Sequence, residues 1–103
     1  MKVRVLSPVE KEITEAAVWY ETRQAGLGAD FFREYERAIC QIEEHPLRYA
    51  KLEAVKSPRD IRRLFLHRFP YYIAYEVMAE EVVVLAAAHT SRRPQYWLHR
   101  LGG

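Results

Sequence analysis

The stretch from Ile61 to His89 constrains the fold more than any other part of this chain. It contains three segments rich in apolar residues that are separated by short linkers, namely Ile61–His67, Tyr71–Met78 and Val82–Ala88. The first alternates apolar and basic residues, the second is aromatic and β-branched, and the third is almost wholly apolar, so we predict three consecutive antiparallel strands. Because the third segment has no polar face, we expect its strand to be central in the sheet and buried on both sides.

The N-terminal half contains an amphipathic helix that can cover one face of this sheet. Ser7 is a capping residue, Pro8 suits the first helical position, and Glu10 follows the cap at the spacing of a capping box. We therefore predict that a helix starts here, and its apolar residues recur at helical spacing. The predicted buried face consists of Val9, Ile13, Ala16, Ala17 and Tyr20.

A second amphipathic run follows Gly26 and Gly28, which interrupt the first helix. We predict a helix from about Ala29 to the His45-Pro46 pair, because the residue before a proline disfavours helical backbone. Two adjacent amphipathic helices with a short link form an antiparallel hairpin, and we expect this hairpin to lie on the sheet. The predicted buried stripe of the second helix is Phe32, Tyr35, Ile39 and Ile42.

Three further segments have weaker patterns. Lys2–Leu6 alternates with period two and predicts an added strand of the same sheet. Residues 47–60 have no clean period and predict an irregular connector, with an extended piece at 49–52 and a turn at Ser57-Pro58. The end of the chain predicts a short terminal helix over Gln95–Leu101, which places Tyr96, Trp97 and Leu101 against the protein.

The predicted fold is α+β, with the order β-α-α-β-β-β and a short C-terminal helix. An antiparallel sheet of about four strands is covered by the N-terminal helical hairpin. With 103 residues, of which half are hydrophobic, the chain has the size and composition of a single folded domain spanning residues 1–103. Since it has no leader-like segment and no apolar run of membrane-spanning length, we expect no membrane association and a cytoplasmic location.

The formal net charge of +2 hides an asymmetry between the two halves of the chain. Residues 10–44 carry nine acidic and four basic side chains, a balance of −5. Residues 45–103 carry ten basic and five acidic side chains, a balance of +5, and they contain all four histidines. This polarity predicts a basic working surface on the sheet side, suited to nucleic acid or to an acidic protein partner.

Several kinds of chemistry find no support in the sequence. The four histidines lack partners at metal-ligand spacing, so we predict no metal site, and Gly26 and Gly28 follow no strand, so we predict no phosphate cradle and no cofactor. No acid or glycine-rich elbow accompanies Ser91 and its neighbour His89, and Glu80-Glu81 reads as an exposed turn. Cys40 is the one cysteine in the sequence, so no internal disulfide can form. We expect Cys40 to be a small buried hydrophobic residue rather than a nucleophile.

What remains is a basic cluster with aromatic neighbours near the ends of the predicted strands. Strand ends and the loops beyond them are where a rigid scaffold presents functional groups. The alternatives are a solvated face that keeps the sheet soluble and, for Tyr71 and Tyr75, half-buried positions in the sheet. The cluster contains Arg62, Arg63, Arg68, His89, Arg92 and Arg93, and the aromatic residues are Tyr71, Tyr72, Tyr75, Tyr96 and Trp97.

The segments RRLFLHRFPYYIAYEV and VVVLAAAHTSRRPQYW resemble the RelE/ParE superfamily of toxins from type II toxin–antitoxin modules, and more closely its ParE branch. The resemblance covers nearly the whole chain, and its most specific parts are the Arg-Phe-Pro-Tyr strand entry and the His-x-x-Arg-Arg-Pro-x-Tyr-Trp ending. It implies a small cytoplasmic toxin that is held inactive by a cognate antitoxin. That antitoxin is expected to be a ParD-like ribbon-helix-helix protein, which binds grooves of the helical hairpin and the sheet edge within a higher-order hetero-oligomer.

Two activities are known within this superfamily. RelE-like members cleave mRNA on the ribosome with basic residues and an acid or base, whereas ParE-like members inhibit DNA gyrase and need no such set. This chain departs from the nuclease pattern, since Tyr72 and Ser91 stand where those enzymes carry basic residues and the terminal Tyr aligns with either Tyr96 or Trp97. The resemblance therefore favours a gyrase inhibitor without enzymatic activity.

Two alternatives remain open at this stage. The first is an mRNA endonuclease that uses His89, Tyr96 or Arg63 in catalysis, and the second is a non-toxic member that only binds its antitoxin. The cellular target, toxicity and oligomeric state are not decided by the sequence. For a gyrase inhibitor, the predicted target-binding residues are Arg62, Arg63, Arg68, His89, Arg92, Arg93 and Trp97.

Overall fold

A computed structural model describes residues 1–53 and 58–102 of the chain. Its two helices and four strands occur in the predicted order, so the α+β fold is confirmed. The predicted terminal helix is a single 3-10 turn, because only the last part of that segment is helical. The elements are β1 (Lys2–Val5), α1 (Ser7–Arg23), α2 (Leu27–Glu44), β2 (Asp60–Phe65), β3 (Tyr71–Val77), β4 (Glu81–His89) and the 3-10 turn Leu98–Arg100.

The sheet has four strands in the order β1-β4-β3-β2, but it is mixed, so the prediction that the whole sheet is antiparallel is wrong for β1. The three consecutive strands β2, β3 and β4 pair antiparallel, as predicted. β1 pairs with β4 in parallel, with Lys2 opposite Glu81 and Val5 opposite Val84. A parallel neighbour is possible because β1 connects to the rest of the sheet through the helical hairpin rather than through a tight turn.

The central position predicted for the last strand is also confirmed. β4 lies between β1 and β3, and every residue from Val82 to Ala88 is buried. One face of the sheet packs on the helical hairpin, where Phe31, Ile42 and Tyr75 belong to the core. The C-terminal segment covers the other face and contributes Trp97.

α1 has the predicted buried face but a different start. Val9, Ile13 and Ala16 are buried, while Ala17 and Tyr20 are partly buried against the same core. The predicted Ser7 cap is wrong, because Leu6 is the N-cap residue and no side chain caps the helix. The Leu6 N–H donates to the Val84 carbonyl oxygen at 3.2 Å, so backbone pairing with β4 extends to the residue immediately before the helix.

α2 begins two residues earlier than predicted because α1 supplies its cap. The Glu21 carboxylate accepts hydrogen bonds from the N–H groups of Gly26 at 2.9 Å and Gly28 at 3.0 Å. Gly26 has φ of 89°, a conformation that glycine adopts without steric cost. A Cβ atom at Gly28 would lie 2.5 Å from the Ala17 carbonyl oxygen, so glycine at this position permits the close approach of the two helices.

The buried stripe of α2 differs from the prediction at one aromatic position. Phe31 is fully buried and packs edge-to-face on Phe69 with ring centroids 5.1 Å apart, whereas Phe32 is 44% exposed. Tyr35 and Ile42 are buried as predicted, and Ile39 is partly buried. The prediction that Cys40 is buried is wrong, since its side chain is exposed. Cys40 lies two residues from both Ala38 and Ile42, which is about 200° around the helix from either.

The connector contains the extended piece that was predicted. Lys51 forms an isolated antiparallel bridge with Arg62, the Leu52 N–H donates to the Ile61 carbonyl oxygen at 2.7 Å, and the Arg63 N–H donates to the Ala50 carbonyl oxygen at 3.3 Å. The predicted turn at Ser57-Pro58 falls partly on residues 54–57, which lie outside the described residues. Among the described residues, no helix has the length and apolar character needed to cross a membrane.

Candidate functional site

The basic loop that follows β4 begins at His89. The Thr90 N–H donates to the Pro70 carbonyl oxygen at 2.8 Å, and the Arg92 N–H donates to the His89 carbonyl oxygen at 3.1 Å, so the loop turns back over the end of the sheet. The His89 Nδ1 atom accepts the Ser91 N–H at 3.0 Å and lies 2.7 Å from the Ser91 Oγ atom.

A groove of about 540 Å³ separates this loop from α1. Four aromatic side chains line its wall, and Arg92 and His89 lie at the loop side. The Arg92 guanidinium lies 3.8 Å from the centroid of the Tyr96 ring, which is the geometry of a cation–π contact. The aromatic residues of the wall are Trp19, Tyr20, Tyr71 and Tyr96.

Tyr96 is held in place by an ion pair behind it. Its hydroxyl donates to the Glu12 Oε2 atom, and the Arg100 guanidinium donates to the two carboxylate oxygens of Glu12 at 3.1 and 3.2 Å. Burial, and secondarily the Glu12 carboxylate, raise the pKa of Tyr96 well above its usual value. Tyr96 is therefore a protonated, fully engaged donor at neutral pH.

The same ion pair covers an open part of the sheet edge. β1 covers β4 only as far as Val84, and beyond that point the Ala87 N–H donates to Glu12 Oε1 at 3.0 Å. Arg100 donates to the Leu85 carbonyl oxygen at 2.9 Å. We call Glu12, Tyr96 and Arg100 the β4 clamp. Sequence reasoning missed it, although Glu12 stands between Val9 and Ala16 on the apolar face of α1, a position that signals a partnered acid.

Trp97 is a core residue, contrary to its predicted role in target binding. Its side chain is fully buried, and its indole Nε1–H donates to the Tyr72 hydroxyl at 3.0 Å. This placement fills the second face of the sheet, where the C-terminal segment packs on Tyr72 and Leu85. Trp97 thus cannot contact a target while this core is intact.

Arg62 is a structural residue and lies apart from the basic loop. Its guanidinium bonds both carboxylate oxygens of Asp60 and the carbonyl oxygens of Leu47 and Tyr49, and only 17% of its side chain is exposed. Arg62 pairs with Tyr75 whereas His89 pairs with Tyr71, which separates them by roughly 13 Å along β3 alone. Arg62 and His89 therefore do not belong to one basic cluster as predicted.

The other predicted cations divide into two groups. Arg92 and Arg93 are exposed on the basic loop with His89. Arg63 lies near β2 aromatic residues, with its guanidinium 5.2 Å from the Phe65 ring and 5.3 Å from the Tyr72 ring. Arg68 follows β2, lies 3.5 Å from Asp30 and leaves 60% of its side chain exposed. We call His89, Arg92 and Arg93 the basic loop cluster.

No three His, Cys, Asp or Glu side chains form a group suited to a metal ion within residues 1–53 and 58–102.

Comparison with known proteins places this architecture in a class. The match of residues 3–94 to a toxin family model, together with the helical hairpin on a four-stranded sheet, places the chain in the RelE/ParE superfamily of toxins. More narrowly, residues 3–94 match the family model described as the ParE toxin of the type II toxin–antitoxin system parDE, so the chain belongs to that family.

A solved structure has the same fold. It is described as the chromosomal ParDE TA system from P. aeruginosa and aligns with a TM-score of 0.62, covering 88% of this chain and 97% of that one. The identity is 13%, so this likeness concerns the fold alone. No functionally curated protein matched the sequence.

Proposed function

We propose that this protein is a ParE-type toxin that inhibits DNA gyrase in the cytoplasm and is neutralised by a cognate ParD-like antitoxin. Membership of the ParE toxin family carries the toxin role. The choice of gyrase rather than mRNA rests on the state of the residues that a nuclease would use.

The β4 clamp is the strongest argument against nuclease activity, because it engages the candidate acid or base Tyr96. An acid or base is most effective when its pKa lies near the working pH and its proton is within reach of the substrate. Tyr96 has a raised pKa, its hydroxyl donates a hydrogen bond to Glu12, and the Arg92 guanidinium lies over its ring. Tyr72, which stands where the resemblance expects a cation, is buried and accepts the Trp97 indole N–H.

The basic loop cluster is the proposed contact with gyrase. Arg92 and Arg93 are exposed at the end of a strand that is buried along most of its length, so a rigid element positions their backbone. Exposed cations on a rigid support attract an acidic protein surface and orient the encounter. Arg63 and Arg68 lie on another part of the molecule, beside the Phe65 ring and Asp30 respectively.

A DNA supercoiling assay with purified toxin and gyrase tests this proposal. We expect inhibition near stoichiometric toxin and at least a tenfold weaker effect for the R92E/R93E double variant. The matched control is R48E/K51E, which reverses two exposed charges elsewhere on the surface. A lethal toxin that leaves gyrase unaffected would overturn the gyrase target, and discrete cuts in translated messages by primer extension would support the nuclease. Induction with no growth phenotype would contradict the toxin role.

A further inference from the structure

The groove between α1 and the loop after β4 contains two phenol hydroxyls that no protein group uses. Tyr20 and Tyr71 both line it, with ring centroids 6.3 Å apart. In the part of the chain that the structure describes, neither hydroxyl forms a hydrogen bond, whereas the Tyr96 hydroxyl in the same groove donates to Glu12. Burial raises the pKa of Tyr20 and of Tyr71, so both phenols keep their protons at neutral pH and can donate to a ligand.

Arg92 adds a positive charge to the same groove. Its guanidinium lies over the Tyr96 ring at 3.8 Å, and among the described residues it has no carboxylate partner. The Arg92 charge opposes the burial that raises the pKa of Tyr71, so the guanidinium acts on a phenol that lacks a hydrogen-bond partner. His89 packs edge-to-face on the Tyr71 ring, with centroids 5.0 Å apart. The loop side of the groove therefore offers donors and positive charge.

The two carboxylates that line the groove do not neutralise Arg92. Glu12 is already engaged by the hydrogen bonds of the β4 clamp. Glu15 lies at the solvent side, with 67% of its side chain exposed and with Lys11 at 4.0 Å. Because solvent and salt screen an exposed charge, Glu15 should weaken an anion bound at Arg92 only slightly.

The walls of the groove favour a flat aromatic molecule. Trp19 is 52% exposed and packs edge-to-face on Tyr20 with centroids 5.1 Å apart. Aromatic side chains pack on planar rings by offset stacking or edge-to-face contact. The volume of about 540 Å³ suits a small organic molecule, since such pockets span roughly 300–1,000 Å³. An organic cation is disfavoured, because Arg92 already lies over the Tyr96 ring.

We propose that this groove binds a small planar aromatic molecule that carries a carboxylate or a phosphate group. The Arg92 guanidinium and the hydroxyls of Tyr20 and Tyr71 bond the oxyanion. The Trp19 side chain packs on the ring of the ligand. Arg92 also belongs to the basic loop cluster, so a bound ligand would compete with gyrase. That consequence rests on the proposed function, whereas the binding site itself does not.

NMR of the isotope-labelled whole chain tests the site, because its two tryptophans report on different places. Trp19 lines the groove, while Trp97 is buried and donates to Tyr72, so the Trp97 indole signal is an internal reference. We expect phenylacetate or phenyl phosphate to shift the Trp19 indole signal saturably and to leave the Trp97 signal in place. Benzylamine, which has the same ring and a positive charge, should bind at least tenfold more weakly.

The outcomes also distinguish the two kinds of acid. Binding of phenylacetate alone supports a carboxylate ligand, and binding of phenyl phosphate alone supports a phosphate ligand. Acetate and inorganic phosphate, which lack the ring, should bind at least tenfold more weakly than the aromatic acids. Equal binding of benzylamine and the aromatic acids would overturn the proposal, as would the failure of both acids to shift the Trp19 signal.

Variants separate the contributions of charge and hydroxyl groups. R92Q should weaken the aromatic acid at least tenfold, whereas R48Q, which removes an exposed cation elsewhere, should leave its affinity unchanged. The double variant Y20F/Y71F keeps both rings and should weaken binding at least fivefold. Its fold should persist, because the lost hydroxyls bond no described group, and an unchanged Trp97 indole signal checks this.

Unchanged affinity in both R92Q and Y20F/Y71F would contradict the assigned oxyanion contacts. These measurements contain no gyrase, so they stand or fall separately from the proposed target. Supercoiling assays with and without the aromatic acid then test the competition. If the acid binds at the groove and gyrase inhibition by the toxin is unchanged at saturation, the competition is wrong and the binding site stands.

Discussion

Within residues 1–53 and 58–102, two places on the sheet lack a neighbouring strand, and the groups beside these two places differ. β1 covers β4 only to Val84, and the connector covers β2 only to Arg63. At β4, side chains from α1 and the C-terminal segment bond the Leu85 carbonyl oxygen and the Ala87 N–H, which have no strand beside them in the described part of the chain. At β2, the groups of Phe65 have no partner among the described residues.

The two edges differ in whether a partner could reach their backbone groups. An uncovered edge is a site for unwanted pairing, and proteins usually cover or charge it. The β4 clamp covers its edge with a partly buried ion pair, so that edge is closed to a partner. At β2, the uncovered Phe65 groups lie beside the Arg63 guanidinium, a charge that disfavours pairing with a second copy of this edge.

Removal of Trp97 should have the largest effect, because it holds the C-terminal segment on the sheet. W97A deletes a fully buried indole and should lower the free energy of unfolding by about 4 kcal/mol. F65A on β2 is the matched control and should cost less than about 1 kcal/mol, since Phe65 is largely exposed. Urea denaturation measures both variants. Equal losses would mean that the C-terminal segment does not cover the sheet.

Removal of Glu12 should have the next largest effect. E12A leaves Arg100 and the Ala87 N–H without their acceptor in a site where the ion-pair side chains are 13% and 14% exposed, and it should cost about 3 kcal/mol. E15A, which removes a carboxylate that is 67% exposed on the same helix, should cost less than about 0.5 kcal/mol. The Ala87 amide should exchange faster in E12A only. Unchanged exchange would show that Glu12 does not cover this edge.

High pH should lower the free energy of unfolding through the β4 clamp, by less than either W97A or E12A does. Burial raises the pKa of Tyr96, so the folded protein favours the neutral phenol more than the unfolded chain does. This contribution is complete below the unfolded pKa of about 10 and is lost as the pH rises toward the folded value. Burial also raises the pKa of Tyr35 and of Tyr75 to about 12, which acts in the same direction.

The Y96F variant isolates the part that belongs to the clamp. Its stability should fall less steeply than that of the unsubstituted protein between about pH 10 and 12, because one of the shifted phenols is absent. Urea midpoints at a series of pH values measure the difference. Identical slopes would show that Tyr96 does not contribute to the alkaline loss.

Local patterns were sufficient for most of the fold. The apolar run Val82–Ala88 predicted a strand that is buried on both faces, and helical spacing predicted the buried face of α1 at Val9, Ile13 and Ala16. These predictions succeeded because each depends on the side-chain period of one element. They also located the basic loop cluster in the chain, since His89 ends the last strand and Arg92 and Arg93 follow it.

Local patterns could not show which of two adjacent residues is buried or bonded within the protein. Phe31 and Phe32 both fit a helical stripe with Tyr35 and Ile42, and only the contact with Phe69 selects Phe31. Arg62 and Arg63 both looked available for binding, yet Arg62 bonds Asp60 and the connector. A period identifies a face approximately, whereas the packing partner determines which residue occupies it.

The sequence by itself therefore determined the order of the elements, the central buried strand and the basic loop that follows it. Only the tertiary structure decided that Trp97 is buried, that Glu12 meets Arg100 across 88 positions, and that β2 keeps an open edge. The physical reason is the separation along the chain of the residues that interact. Residue periodicity records interactions within one helix or strand, but burial, ion pairing and edge coverage depend on groups that folding brings together from distant parts of the chain.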